Sequence, residues 1–131
     1  MLNGKVILVV DDDLTLMEMY VERLKMDGAI ILQAKDGEEA LARVAEGKPD
    51  CILLDIMMPK INGLDVLKKL KEDSGTAKIP VIMLSALADD EKKRITKELG
   101  AADYFVKSEM LPADVLARIS RLLGVEKLQG K

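Results

Sequence analysis

The segment Val6-Ile7-Leu8-Val9-Val10-Asp11-Asp12-Asp13 passes from five consecutive apolar residues directly to three acidic ones. An apolar run without alternation is typical of a strand that is buried on both faces of a parallel sheet. Four more short apolar runs follow along the chain, at Ala29 to Leu32, Cys51 to Leu54, Val81 to Leu84 and Tyr104 to Val106. Since stretches of helical periodicity separate these runs, the pattern predicts repeated strand–helix units and a mostly parallel sheet.

The stretches between the runs place apolar residues three or four positions apart, which is the spacing of one helix face. Such sets are Leu14, Met17, Val21 and Leu24, then Leu64, Leu67 and Leu70, and later Val115, Ile119 and Leu122. Asp36 and Glu39 have the spacing of an N-terminal capping box. Glycines suited to helix C-terminal caps stand at Gly28, Gly47, Gly100 and Gly124. We therefore expect helices on both faces of the sheet.

The segment from Asp89 to Leu99 is the most highly charged of the predicted helices. Within it, Ile95 and Leu99 are the residues expected to face inward. A charge run of this kind is typical of a solvated helix face, and a partner-binding face is the alternative.

Length and composition restrict the classes of protein that this chain can represent. Its 131 residues, 49% of them hydrophobic, predict a single domain over residues 1–131 that ends in a polar tail at residues 125–131. The net charge of -3 gives no general attraction to nucleic acid or to an anionic membrane. The chain has no histidine, which excludes imidazole bases, histidine zinc ligands and a phosphohistidine carrier. A lone cysteine, Cys51, is expected to be a core residue.

No apolar stretch approaches the roughly 20 residues that a membrane-spanning helix requires. The run Val6 to Val10 is also far shorter than the apolar core of a signal peptide. The expected location is therefore the cytoplasm.

Acidic residues follow two of the predicted strands at their carboxyl ends. Asp11, Asp12 and Asp13 follow the first strand, and Asp55 ends the third. If the strand order is 2-1-3-4-5, these two strands are neighbours and the acids converge where ligands bind in such sheets. Clustered carboxylates repel one another unless a cation lies among them, and oxygen ligands favour Mg²⁺ or a similar divalent ion. The alternative is that each aspartate only caps the helix that follows it.

Two further polar residues end the remaining strands at the same edge. Ser85 ends the fourth strand and Lys107 ends the fifth. Together with a metal ion, a hydroxyl and an ammonium group would bind the oxygens of a phosphoryl group, since phosphoryl transfer depends on positioning and charge neutralisation. Taken singly, each of these residues is more typical of a solvated surface.

Four motifs taken together resemble those of response-regulator receiver domains. They are Val9-Val10-Asp11-Asp12, Leu54-Asp55-Ile56-Met57-Met58-Pro59-Lys60-Ile61-Asn62-Gly63, Leu84-Ser85-Ala86 and Tyr104-Phe105-Val106-Lys107. The resemblance extends from Lys5 to about Leu123. It implies a flavodoxin-like α/β fold, a doubly wound five-stranded parallel sheet in the order 2-1-3-4-5 flanked by five helices.

The resemblance also implies a role for each matching residue. Asp55 would accept a phosphoryl group from the phosphohistidine of a sensor histidine kinase or a histidine phosphotransfer protein. Mg²⁺, or Mn²⁺ in its place, would be held by Asp55, Asp12, Asp11 through water and the main-chain carbonyl of Met57. The phosphoryl oxygens would be bound by Ser85, the amide of Ala86 and Lys107. Asp13 would start the first helix.

In the same family, phosphorylation moves the strand-end hydroxyl and turns an aromatic residue inward, here Ser85 and Tyr104. This would switch the surface of the fourth helix, fifth strand and fifth helix for a downstream effector protein, without direct contact to nucleic acid or membrane. The chain would then be a signalling switch and not an enzyme with a separate substrate. A small Mg²⁺-dependent aspartyl-phosphate phosphatase is the alternative, as is a degenerate receiver, against which the intact site residues argue. A stand-alone regulator, a relay intermediate and a fragment of a longer protein stay open.

Three positions depart from the family pattern or bear on the lifetime of the phosphoryl group. Ser108 stands where the family usually has proline after the lysine, so the Lys107–Ser108 bond is expected to be trans, or strained if cis. Met57 and Leu87 flank the route of attacking water in the family, and neither hydrogen-bonds water. This predicts slow self-dephosphorylation.

Overall fold

The five predicted strands form one parallel sheet in the order β2-β1-β3-β4-β5. The computed structural model describes residues 2–58, 61–86 and 88–125, and it does not describe the side chains of Leu14 and Leu16. The strands are β1 (Val6–Val10), β2 (Ile30–Ala34), β3 (Cys51–Asp55), β4 (Val81–Ser85) and β5 (Asp103–Val106). The helices are α1 (Leu14–Met26), α2 (Gly37–Gly47), α3 (Gly63–Glu72), α4 (Asp90–Glu98) and α5 (Pro112–Leu122), and a 3₁₀ turn spans Lys107–Glu109. The predicted fold class is confirmed.

Alternate residues of the central strands enter apolar clusters on opposite faces of the sheet. Ile7 and Leu53 pack in the cluster beneath α1 and α5. Leu8 and Ile52 pack in the cluster beneath α2 and α3. This is why β1 and residues Cys51 to Leu54 of β3 are apolar, since neither face of these strands is open to solvent. Cys51 is fully buried in the first cluster, and burial raises the pKa of its thiol to about 12, so it is a core residue as predicted.

The register brings the carboxyl ends of the strands to one edge of the sheet. Val10 pairs with Leu54, Asp55 with Leu84, and Ser85 with Val106. The residues that follow β1, β3, β4 and β5 therefore lie along the same edge.

The bounds predicted for β2 are wrong. The strand runs from Ile30 to Ala34 and not from Ala29 to Leu32, because its ladder with β1 continues through the pair of Val9 and Gln33. As an edge strand, β2 tolerates a polar residue that the apolar pattern excluded. β3 and β4 end at Asp55 and Ser85, as predicted.

The cap predicted at Gly47 is also wrong. α2 includes Gly47, and the left-handed residue that ends the helix is Lys48, with φ of 42°. A Cβ on Gly47 would lie 2.4 Å from Leu32 Cδ1, so this glycine serves the close approach of helix and strand. The N-terminal cap is confirmed, since the Asp36 carboxylate accepts from the Glu39 N–H at 2.8 Å.

The charged helix α4 is a solvated helix in which Asp89 caps the N-terminus. Leu99 packs against the core and Ile95 is half-buried, but the fully buried residue is Thr96, which the apolar pattern did not identify. Its hydroxyl is accommodated because it donates to the Lys93 carbonyl at 3.0 Å.

At the end of the chain, Val125 packs against the core, and residues 126–131 of the predicted tail lie outside the described residues. In the part of the chain that the structure describes, no helix combines the length and the apolar composition needed to cross a membrane.

Candidate functional site

Three aspartates meet at the carboxyl edge of β1 and β3. One carboxylate oxygen from each of Asp11, Asp12 and Asp55 lies within 4.8 Å of the other two. Asp11 and Asp55 are buried, whereas Asp12 is exposed, so the cluster opens to solvent on one side. Hard carboxylate oxygens at this spacing fit a divalent cation such as Mg²⁺, and the convergence that the sequence predicted is present.

Asp11 is fixed by the start of α1. Its Oδ1 accepts from the N–H of Asp13 at 2.8 Å, and the carbonyl of Asp13 accepts from the N–H of Met17 at 3.2 Å. Asp13 therefore precedes the first turn of α1, as predicted. This leaves Oδ2 of Asp11 facing the site.

Lys107 places its ammonium group between the two buried carboxylates. Its Nζ lies 2.6 Å from Asp11 Oδ2 and 3.3 Å from Asp55 Oδ2. The ammonium group reaches both acids because β5 and β3 flank β4 in the sheet and end at the same edge. The site thus contains one internal cation that partly balances its acids.

The buried charges shift proton affinities in the site. Burial, and after it the charge of Asp11, raise the pKa of Asp55 to about 6, although the contact with Lys107 offsets part of the rise. Burial alone would lower the pKa of Lys107, but its contacts with Asp11 and Asp55 raise that pKa above the ordinary value. At neutral pH the site therefore holds an ionised Asp55, whose charged form is disfavoured by burial, beside a fully charged Lys107.

Two glycines bring the backbone around Asp55 into close contact with its neighbours. A Cβ on Gly63, at the start of α3, would lie 2.2 Å from the Asp55 carbonyl oxygen. A Cβ on Gly37, at the start of α2, would lie 2.3 Å from the Ile61 carbonyl oxygen. The N–H of Gly63 donates to the Ile56 carbonyl at 2.8 Å. The loop that follows Asp55 is thus closed by main-chain contacts at both of these points, while Pro59 and Lys60 lie outside the described residues.

Met57, Ser85 and Ala86 lie at the same edge of the sheet, whereas Tyr104 lies within β5. Met57 follows Asp55 by two positions, and its N–H approaches Asp55 Oδ1 at 3.4 Å. Ser85 ends β4 and is buried, and Ala86 lines an open cleft with Asp13, Lys107 and Ser108. Tyr104 is half-buried on β5, where it lines a second cleft with Thr96 and Lys97 of α4. Leu87 lies outside the described residues.

The Lys107–Ser108 bond is trans, as expected, because the described chain contains no cis peptide bond. Tyr20 of α1 was not among the predicted site residues, yet its hydroxyl donates to the Lys107 carbonyl oxygen at 3.3 Å. A usable signal was present, since Tyr20 stands on the apolar face of α1 beside Met17, Val21 and Leu24, where a polar-tipped side chain needs a partner.

The doubly wound sheet, with an acidic site where the strand order reverses, defines a flavodoxin-like α/β domain with a ligand site at its topological switch point. The sequence pattern of the response regulator receiver domain matches residues 7–120. The chain belongs to this family, whose members are signalling proteins of two-component systems.

Relatives and solved structures agree with this family. The chain is 39% identical over 120 residues to the phosphate regulon transcriptional regulatory protein PhoB of Pseudomonas aeruginosa, covering 92% of this chain and 52% of PhoB. It is 42% identical over 113 residues to the DNA-binding response regulator MtrA of Mycobacterium leprae, covering 86% of this chain and 48% of MtrA. The chain spans about half the length of these curated relatives. The chemotaxis response regulator CheY4 of Vibrio cholerae superposes with a TM-score of 0.84 at 30% identity, covering 92% of this chain and 100% of CheY4.

Proposed function

We propose that this chain is the phosphoacceptor of a two-component phosphorelay and that Asp55 receives the phosphoryl group. The donor would be the phosphohistidine of a sensor histidine kinase or of a histidine phosphotransfer protein. The observation that carries the proposal is the placement of Lys107 Nζ against both Asp11 and Asp55, at 2.6 and 3.3 Å. A largely buried ammonium group beside an ionisable carboxylate can stabilise the negative charge of a group that is transferred to that carboxylate.

In the proposed reaction, a carboxylate oxygen of Asp55 forms a bond to phosphorus while the bond from phosphorus to the donor imidazole nitrogen breaks. The product on this chain is an acyl phosphate, and the imidazole leaves with the electron pair of the broken bond. With a pKa of about 6, Asp55 is ionised at neutral pH and needs no separate base. Lys107, the Ser85 hydroxyl and the Ala86 amide would bind the phosphoryl oxygens.

Mg²⁺, or Mn²⁺ in its place, would be held by Asp55, Asp12, Asp11 and the main-chain carbonyl of Met57. The three carboxylates supply hard oxygen atoms within 4.8 Å of one another, which fits such an ion. When bound, the ion supplies neutralisation of charge on the phosphoryl oxygens. Asp12 is exposed, so the cation would enter from its side of the cluster.

The proposed output is a change of the surface formed by α4, β5 and α5, on which a downstream effector protein would bind. Ser85 and Tyr104 would move together, with Tyr104 turning inward as Ser85 approaches the phosphoryl group. The half-buried position of Tyr104 beside α4 supports such a movement. An ion pair of Arg118 with Asp103 joins α5 to the start of β5.

We further propose that this chain contacts proteins and not nucleic acid, and that it works in the cytoplasm. PhoB is named as a transcriptional regulatory protein and MtrA as DNA-binding, but this chain covers only about half of each. The net charge of -3 supports a protein partner, since binding to the phosphate backbone depends on basic residues.

The test is incubation with Mg²⁺ and acetyl phosphate, followed by intact-mass measurement. The unmodified chain should gain the mass of one phosphoryl group, and Asp55→Asn should gain none. Asp12→Ala should require a higher Mg²⁺ concentration, because it removes one carboxylate from the cluster. A mass gain that persists in Asp55→Asn, or no gain by the unmodified chain with Mg²⁺ present, would contradict the proposal.

A further inference from the structure

Tyr20 carries a polar group into the apolar cluster between the sheet, α1 and α5. Its side chain is only 3% exposed and packs with Met17, Leu24 and Ile119. A phenol hydroxyl in such a place needs a hydrogen-bond partner, because an unpaired buried hydroxyl is costly. The identity of that partner decides what the side chain does beyond filling space.

The partners of Tyr20 are main-chain carbonyls of the loop between β5 and α5. The hydroxyl lies 3.3 Å from the Lys107 oxygen and 3.2 Å from the Met110 oxygen. Lys107 is the first residue of the 3₁₀ turn Lys107–Glu109, and Met110 follows its last residue. The single hydroxyl hydrogen therefore bonds to the carbonyls at both ends of the turn, either at once or in alternation. Burial raises the pKa of Tyr20 above its ordinary value, so the hydroxyl keeps its proton at neutral pH.

Lys107 is therefore contacted at both of its ends by the same part of the fold. Its ammonium group contacts Asp11, which is anchored to the N-terminus of α1 through the N–H of Asp13. Its carbonyl contacts Tyr20, which lies further along α1. Since the main chain sets where a lysine side chain can reach, a shift of the turn would displace the ammonium group from the two carboxylates.

We propose that Tyr20 is a positioning residue, whose hydroxyl holds the turn Lys107–Glu109 so that the Lys107 ammonium group lies where a phosphoryl group binds. The proposal rests on the function proposed above for this site. In addition to packing on the sheet, α1 would then help to position the Lys107 ammonium group. The effect of Tyr20 should therefore depend on the presence of the Lys107 ammonium group.

The first test is a double-mutant cycle read by calorimetry of beryllofluoride binding in the presence of Mg²⁺. Tyr20→Phe keeps the ring and removes the hydroxyl, and it should weaken beryllofluoride binding roughly 3- to 10-fold. In a Lys107→Ala background the same substitution should have no further effect, because the group it positions is gone. Thr76→Val is the matched control, since it removes another hydroxyl that donates to a main-chain carbonyl, at 2.6 Å from Leu70 O, in the loop at the opposite edge of the sheet. It should bind beryllofluoride like the unmodified chain.

The second test needs neither metal nor phosphate analogue. NMR of chains with labelled lysines reports the surroundings of each lysine side chain, and the Lys107 signal is assigned by its loss in Lys107→Ala. In Tyr20→Phe, the Lys107 signal should move toward the signals of exposed lysines. In Thr76→Val the signal should stay in place. Because this readout does not depend on phosphorylation, it separates the positioning role from the function of the site.

The outcomes are distinct. If the unmodified chain fails to bind beryllofluoride while the Lys107 signal still shifts in Tyr20→Phe, the proposed function is wrong and the positioning role stands. Equal beryllofluoride affinity in the unmodified chain and Tyr20→Phe overturns the positioning role, as does the same fold loss in both backgrounds. A Tyr20→Phe chain that fails to fold also overturns it, because the hydroxyl then supports the fold as a whole.

Discussion

Asp55→Asn should make the metal-free protein more stable at neutral pH. Burial, together with the charge of Asp11, raises the pKa of Asp55 from an ordinary 3.8 to about 6. A tenfold change in proton affinity corresponds to about 1.4 kcal/mol, so the ionised carboxylate costs the folded chain up to about 3 kcal/mol. Asparagine removes this cost but also removes the contact with Lys107, and we expect a net gain of about 1 to 3 kcal/mol in the free energy of unfolding.

The pH dependence of this gain follows from proton binding. Because the folded chain binds the Asp55 proton more tightly than the unfolded chain, the stabilisation by protonation is fully present below about pH 4. It is lost as the pH rises through about 6. The Asp55→Asn chain has no such loss. The difference in the free energy of unfolding between the two proteins should therefore grow between about pH 4 and about pH 6 and stay constant at higher pH.

Urea unfolding with a chelator present, at about pH 4 and about pH 7.5, measures the difference as a shift of the midpoint. Asp73→Asn is the control, since it makes the same substitution at an exposed aspartate in the loop after α3, and it should not give the gain expected for Asp55→Asn. Added Mg²⁺ should reduce the difference between the two unfolding midpoints, because it stabilises the unmodified chain. A lower stability of Asp55→Asn than of the unmodified chain at neutral pH, or an equal gain at both pH values, would contradict this expectation.

Four other substitutions test further features. Met57→Asn, and Leu87→Glu outside the described residues, should speed loss of the phosphoryl group severalfold in a time course of intact mass, and unchanged half-lives in both would refute the idea. Gly63→Ala should cost about 1 to 3 kcal/mol in urea unfolding, because its Cβ would collide with main-chain atoms; a neutral result would exclude that collision. Lys71→Met should also cost about 1 to 3 kcal/mol, since the ammonium group donates to two main-chain carbonyls at 2.8 and 2.9 Å, and an unchanged midpoint would show those bonds to be weak.

The sheet and the acidic cluster were predictable because each depends on local signals that topology then combines. Unbroken apolar runs indicate strands buried on both faces, and the carboxyl ends of parallel strands share one edge. It follows that Asp11 and Asp55 meet although they are far apart in sequence. The position of Lys107 against both acids follows from the same argument, because β5 ends at that edge as well.

The remaining features depend on contacts that no local pattern encodes. Lys48 is the left-handed residue that ends α2, whereas Gly47 lies inside the helix beside the Leu32 side chain. Thr96 is buried because a carbonyl of its own helix accepts its hydroxyl. The contact of Tyr20 with Lys107 joins residues that are 87 positions apart, and an apolar stripe on α1 does not reveal the partner of a phenol.

Gly37 and Gly63 closely contact the main chain of the segment that follows Asp55, and these contacts restrict how the length of the segment can vary. Gly37 and Gly63 each face a main-chain oxygen at a distance that leaves no room for a methyl group. An inserted or deleted residue between Asp55 and Gly63 would disrupt at least one of these two close main-chain contacts. Redesign of this segment is therefore confined to exchanging side chains at constant length, and grafts from other proteins must match its residue count.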